Sequence, residues 1–302
     1  MESFQWIERA DINEEKWCAC VASNPFTASV FAEPWYLDVC ATPWSALVYG
    51  DYLAVMPVFW KKKYGLHYVY PPFFVSQIGI LGDVSNAPEP EAWLRAIPRR
   101  FKYIELIFNS ENHISSTKLK CITNHSYVLD CRQSYEMLRK GYHNNHKYNL
   151  NKADRQLFEV KHEVDPEQVI RLFRQQWEGN RSVGFKEHDY LRLQRILKQL
   201  QVHQALESWA VVDVQGNLHA AAFFPFMYGR YTFLFSGRSE ASRENRAMFY
   251  LVDCFVRQHA GSECLLNFDT NNPQIARFYK GFGAECQSYS QVLLPFYKRC
   301  II

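Results

Sequence analysis

Two stretches of the chain gather residue types that can do chemistry. The first, 236–247, reads Ser236-Gly237-Arg238-Ser239-Glu240-Ala241-Ser242-Arg243-Glu244-Asn245-Arg246-Ala247 and places three arginines, three serines and a glycine ahead of an apolar helix. Planar guanidiniums and free backbone N–H groups suit phosphate oxygens, and a helix dipole adds to their pull. Glu240 and Glu244 keep a second reading open, a solvated loop whose charges pair among themselves. The second stretch, 267–284, carries Asp269, the cap-like pair Asn272-Pro273, and Tyr279 between Phe278 and Phe282. A tyrosine hydroxyl can protonate a leaving group, and a carboxylate can orient or deprotonate an amine. Equally, a tyrosine buries its ring with only the hydroxyl satisfied, and an Asp-Thr-Asn-Asn run bonds its own backbone in a turn.

The elements around these stretches follow from pattern. Asp165-Pro166-Glu167-Gln168 starts a helix with an N-cap aspartate, proline at the first helical position and a capping-box glutamine, and Val169, Leu172, Phe173 and Trp177 recur at helical spacing. A second helix carries Leu193, Ile196, Leu197 and Leu200. Short β-rich runs at 209–214, 220–227 and 231–235, separated by turn residues, predict an antiparallel meander. Met248, Leu251, Val252, Phe255, Val256 and His259 then trace a helix closed by Gly261, and 264–268 is a buried-strand run. Strand 231–235, this helix and strand 264–268 make a parallel βαβ unit. A short helix from Asn272 to Gly281 and a last strand at 288–295 follow. Where an antiparallel meander switches to parallel pairing, neighbouring strands can splay, and a ligand amide can then pair with their backbone groups. In that arrangement Leu234, Phe235 and Ser236 offer a backbone N–H to a carbonyl oxygen.

The first half repeats the order: helices at 13–22 and 33–40, strands at 46–49 and 53–60, an extended stretch through 78–81, a helix at 91–97, and strands at 103–108 and 126–130. Pro57 and Pro225 sit at corresponding places in the two hairpins. We expect a structural duplication, two α/β (α+β mixed-sheet) domains at 1–130 and 131–302. The length of 302 residues allows two domains, and the 16% aromatic content exceeds what their cores ordinarily need, so rings are left to line a cleft. Tyr70, Phe73 and Phe74, beside Pro71-Pro72, are the candidate substrate-binding wall, with packing between domains as the other reading.

Family resemblance enters at 267–284. A strand followed by Asn-x-x-(apolar)-x-x-(apolar)-Tyr-x-x-x-Gly resembles the closing motif of the GCN5-related N-acetyltransferase (GNAT) superfamily. The form FDxxNxPxIARFYKGFGAE, the doubled domain and the basic stretch 139–153 resemble FemABX-like and BioF2-type acyltransferases built from tandem GNAT-like (acyl-CoA N-acyltransferase) domains. The resemblance implies that Tyr279 protonates a departing coenzyme A thiolate and Asp269 serves the amine. It further implies that Leu234, Phe235, Ser236, Gly237, Arg238, Arg243, Arg246 and Asn272 hold an acetyl-CoA or other acyl-CoA donor. The superfamily's pyrophosphate loop, Arg/Gln-x-x-Gly-x-Gly/Ala, aligns with Arg243-Glu244-Asn245-Arg246-Ala247-Met248, so Arg246 stands where glycine would let the backbone approach phosphate. FemABX enzymes use aminoacyl-tRNA, and for that donor Lys140, His143, His146, Lys147, Lys152 and Arg155 interleave with Tyr142 and Tyr148. A binding protein that keeps the fold without catalysis is the third expectation.

Other chemistries lack their signatures. Nine irregularly spaced cysteines include no C-x-x-C pair, the ten histidines show no ligand spacing, and no G-x-S-x-G elbow supports a serine nucleophile. We therefore expect reduced thiols and no metal. No apolar run approaches a membrane span and the first ten residues lack an apolar core, so a cytoplasmic protein with a small-molecule or peptide amine substrate is expected, for which a monomer suffices.

Overall fold

The structure, a computed structural model, describes residues 3–176, 185–270 and 272–295; Trp177 and Cys300 lie outside them. In chain order the elements are β1 (Phe4–Glu8), α1 (Glu14–Ala22), α2 (Pro34–Cys40), β2 (Trp44–Tyr49), β3 (Ala54–Lys63), β4 (Leu66–Val69), β5 (Leu81–Gly82), α3 (Pro90–Ala96), β6 (Phe101–Ile107) and β7 (Lys120–Asp130). Then come α4 (Tyr135–Gly141), α5 (Asn144–Ala153), β8 (Glu159–Lys161), α6 (Pro166–Gln176), α7 (Glu187–Val202), β9 (Leu206–Val212), β10 (Leu218–Met227), β11 (Arg230–Thr232) and β12 (Phe235–Arg238). The chain continues through α8 (Ser242–Asn245), α9 (Ala247–His259), β13 (Leu265–Asp269), α10 (Pro273–Gly281) and β14 (Glu285–Pro295).

Two compact units result: Met1–His125 with Gln287–Ile302, and Ser126–Cys286. This differs from the expected division at 130/131 with 287–302 in the second domain. The reason is pairing: residues 291–295 run antiparallel to 103–107 on β6. The first unit's sheet orders β1-β2-β3-β4-β6-β14, with β4 parallel to β6 and β5 attached to β3. Its core gathers Trp93, Phe101, Ile104 and Phe108.

The second unit's sheet orders β7-β13-β11-β10-β9-β8. The expected crossover is present: β11 runs parallel to β13, with α9 between them in sequence. Phe255 of α9 stacks on Phe224 of β10, centroids 3.9 Å apart and planes 15° from parallel. Phe224, Phe255, Phe268 and Phe282 are fully buried, each contributing about 1.5–3 kcal/mol of burial before the entropy of ordering it is subtracted.

The expected single strand 231–235 is interrupted. Parallel pairing with β13 ends at Thr232 opposite Asn267. Phe233 then donates its N–H to the Asn267 carbonyl (2.9 Å), while Leu234 donates to Phe223 on the other side (3.0 Å). Beyond this point β12 pairs with β10, and β13 continues along β7 as far as Asp269. The two strands therefore part at Phe233. Alternation along β12 sends Phe235 and Gly237 to one face and Ser236 and Arg238 to the other.

The described cysteines are all free thiols, four of them buried (Cys20, Cys40, Cys131 and Cys264). Among the described residues no helix is long and apolar enough to cross a membrane, and no group of three or more His, Cys, Asp or Glu is placed to hold a metal.

Candidate functional site

A cavity of about 540 Å³ opens in the second unit, where β12 leaves β13. Ser236 and Arg238 from β12, Arg243 and Arg246 from the loop before α9, Asn272 at the start of α10 and Tyr279 within it all wall this cavity. Six sequence-singled residues are thus brought together. Phe235 and Gly237 face the other way. The Phe235 ring lies 4.6 Å from that of Phe173 on α6, and a Cβ on Gly237 would stand 2.4 Å from the Val169 carbonyl oxygen. Glycine is needed there because α6 crosses directly over the strand. Leu234 spends its N–H on Phe223. Ser239 donates its N–H to the His219 carbonyl (2.8 Å), so the antiparallel alternation turns the backbone N–H of Ser236 and of Arg238 away from β10, toward the side β13 has left.

The arginine loop keeps a glycine-like backbone without glycine. Arg246 has φ +65° and ψ +26°, the left-handed region, as it joins α8 to α9. A non-glycine residue there costs roughly 1–2 kcal/mol. The conformation is held by Arg246 donating its N–H to the Ser242 carbonyl (3.2 Å) and its Nη1 to the Arg243 carbonyl, and by Asn245 Oδ1 accepting from Ala247 N–H (3.1 Å). Glu240 and Glu244 do not neutralise the loop: among the described residues no carboxylate lies within 4.0 Å of the Arg238, Arg243 or Arg246 guanidinium nitrogens. Burial, reinforced by Arg243 and Arg246, pulls Arg238 below its ordinary pKa. Ser242, 4% exposed, lines the same cavity with its Oγ unpartnered, as is the buried Arg246 Nε. Cations converge here beside unsatisfied donors, an arrangement whose chemistry suits an anion.

The opposite wall is aromatic. Asn272 caps α10, its Oδ1 accepting from Gln274 N–H (2.9 Å) and Ile275 N–H (3.4 Å), and Pro273 occupies the first helical position. The helical repeat then puts Ile275, Phe278 and Tyr279 on one face, toward the cavity. Tyr279, 7% exposed, stacks on Phe268 and meets Phe233 edge-on at 5.8 Å. Burial, helped by the Asp269 charge, holds its phenol well above the usual tyrosine range, so it stays protonated. Asp269 ends β13, half-buried, and is not among the residues walling the cavity. Phe233 and Phe249 also line it and were not singled out in the sequence; Phe249 sits one position beyond the apolar stripe of α9.

The remaining candidates lie elsewhere. Tyr70, Phe73 and Phe74 belong to the first unit, where Lys61 sits 4.1 Å over the Tyr70 ring, Phe73 is exposed, and Phe74 at φ +64° accepts the Tyr36 hydroxyl on its carbonyl (2.7 Å). The basic stretch 139–155 is divided by helix geometry. Tyr142 and His146 turn into the core, whereas Lys140, His143, Tyr148 and Arg155 stay exposed.

No family model and no curated protein matches this chain. Solved structures do. FemX aligns at TM-score 0.65 with 11% identity over 95% of this chain and 96% of that one. The fold is GNAT-like. A tandem GNAT protein from the clavulanic acid biosynthesis pathway aligns at TM-score 0.55 with 8% identity, over 97% of this chain and 99% of its own. L-PGS from Bacillus licheniformis aligns at 0.52 with 13% identity, over 93% and 91%. The strand parts from β13 at Phe233, and Arg246 stands in the left-handed region at the loop position singled out in the sequence.

Proposed function

We propose that the protein is an N-acyltransferase that moves an acyl group from a coenzyme A thioester to an amine by direct attack, with the donor site in the unit Ser126–Cys286. One observation carries this reading: the strands part beside a cavity that has three uncompensated arginines on one wall and a protonated tyrosine on the other. A strand 231–235 fully hydrogen-bonded to 264–268, with no splay, would favour a non-catalytic binding protein instead.

The roles follow from position. Arg238, Arg243 and Arg246 hold donor phosphates, and the apolar wall of Phe233, Ile275 and Phe278 takes the chain that ends in the thioester. As the amine adds to the carbonyl, the Ser236 N–H stabilises the oxyanion. Asp269, just past the splay, orients the amine and receives its proton. The carbon–sulfur bond then breaks, and Tyr279 donates a hydrogen bond to the departing thiolate. Because burial holds its phenol above a thiol's ordinary pKa, Tyr279 stabilises the thiolate without surrendering its own proton fully.

Aminoacyl-tRNA is the second donor. It is favoured by the alignment with FemX and by the exposed Tyr148 with Lys152 5.0 Å from its ring, a pairing suited to a base and a phosphate. Calorimetric titration with acetyl-CoA and free coenzyme A decides between them. Saturable heat with both supports the first donor. Absence of heat together with a strongly salt-dependent gel shift of bulk tRNA supports the second.

A further inference from the structure

A chain of three side chains takes no part in donor binding. Asp213 follows β9 in the turn to β10, and its carboxylate is fixed by Gln215 N–H (3.0 Å), Asn217 N–H (2.9 Å) and Asn217 Nδ2 (2.9 Å). With Asn217 as the main cause, its pKa falls to about 2, so it is ionised. Asp213 Oδ2 lies 3.1 Å from His219 Nε2, and His219 Nδ1 lies 3.2 Å from Ser239 Oγ. Ser239 is brought there by register: it is the next residue of the β12–β10 ladder, directly opposite His219, so the two side chains share one face.

The tautomer is determined by neighbours. The Asp213 carboxylate can only accept, which puts the ring proton on Nε2. Nδ1 is then the acceptor, and its lone pair is shared between the Ser239 hydroxyl (3.2 Å) and Asn245 Nδ2 (3.1 Å), whose Oδ1 is engaged by Ala247 N–H. An ionised carboxylate, an oriented imidazole with its lone pair toward a hydroxyl, and a serine form the hydrogen-bonded order of a serine nucleophile. Ser239 lines a cavity of about 420 Å³ together with Gln175, Gln176, Arg238, Glu240 and Arg243. The two guanidiniums supply donors for an oxyanion and charge for an acidic substrate.

We propose that Ser239, activated by His219 and Asp213, is the nucleophile of an ester-cleaving activity toward small activated acyl esters that carry an anionic group. The Ser239 O–H proton passes to His219 Nδ1 as Oγ bonds to the acyl carbon. The ester C–O bond breaks, and the leaving alkoxide takes that proton from His219. Water then attacks the acyl-serine, giving its proton to His219 Nδ1, and the freed Ser239 oxygen recovers it as the carboxylic acid departs. This activity needs no coenzyme A, but it draws on Arg238 and Arg243, which also line the donor cavity, so coenzyme A is expected to compete with it.

The full-length protein is treated with a fluorophosphonate and its peptides are mapped by mass, while 4-nitrophenyl acetate and the mono-4-nitrophenyl ester of succinate report turnover. Ser239 is expected to be phosphonylated, and the succinate ester to be cleaved at least about ten-fold faster than the acetate. Ser239→Ala loses turnover at least about 100-fold with an unchanged melting temperature, and Ser239→Cys retains an acyl-enzyme. His219→Ala abolishes labelling; because that variant can fail to fold, labelling of the unaltered protein is decisive. No label on Ser239, or equal nitrophenolate release from Ser239→Ala, overturns the proposal.

Discussion

The Tyr279 ring lies stacked on Phe268, centroids 4.3 Å apart and planes 20° from parallel, which fixes the phenol at the wall of the cavity rather than leaving it free to rotate. Removing only the hydroxyl keeps that stack. Tyr279→Phe is therefore expected to leave the melting temperature and the donor KM within error while lowering kcat by about 10²-fold, read as release of free coenzyme A thiol. An unchanged kcat removes Tyr279 from the reaction.

The arginines should divide donor affinity between them. Arg243→Ala leaves Arg238 and Arg246 in place and is expected to weaken coenzyme A binding about ten-fold in calorimetry, consistent with loss of one charge-assisted contact. The difference between variant and parent should shrink as salt rises. A salt-independent loss would point to a packing effect.

Arg246 carries opposed demands. Its left-handed backbone favours glycine while its side chain lines the cavity beside Arg238 and Arg243. Arg246→Gly is expected to raise the melting temperature by about 2–4 °C, through relief of roughly 1 kcal/mol of strain, and to weaken donor binding at the same time. If both quantities fall together, the strain account is wrong.

Gly281 has no room for a side chain: an added Cβ would stand 1.9 Å from His146 Cε1. The imidazole donates Nε2–H to the Phe278 carbonyl (2.8 Å) and packs between the rings of Phe249 and Phe282. Gly281→Ala is expected to destabilise the protein by about 1–3 kcal/mol in urea unfolding, and adding His146→Ala to recover part of the loss. Fully additive losses in the double variant would show that the two do not clash.

Glu207 gives an acid-sensitive contribution. Burial raises its pKa, but hydrogen bonds from His259, Tyr231 and Trp209 outweigh that and bring it from 4.5 to about 2. A carboxyl depressed in the folded state stabilises above its unfolded pKa and loses that contribution as pH falls through the folded one. Glu207→Gln is expected to lower stability near pH 6, with the gap to the parent closing between about pH 4.5 and 2 in urea titrations. A gap that is constant with pH would contradict this.

Much of the fold was legible because local signals agree with it. Asn272-Pro273 caps α10 as its residue types require, the apolar stripe of α9 is buried, and the two aromatic cores lie in separate units, with Phe233, Phe249, Phe278 and Tyr279 left for the cavity. The left-handed turn at Arg246 was obscured because a strained arginine has no sequence signature, only the missing glycine.

By itself, then, the amino-acid order determined the caps, the helical and strand periods and the arginine-rich entry to α9, since each depends on neighbours a few residues apart. Tertiary structure alone decided the rest. Whether Ser236 or Phe235 faces the cavity depends on which face of β12 α6 covers, and Asp213, His219 and Ser239 meet through a hairpin register that closes 26 residues of chain. Residues 291–295 join β6 because their paired edge lies almost 200 residues upstream, a choice that backbone hydrogen bonding makes and side-chain pattern does not.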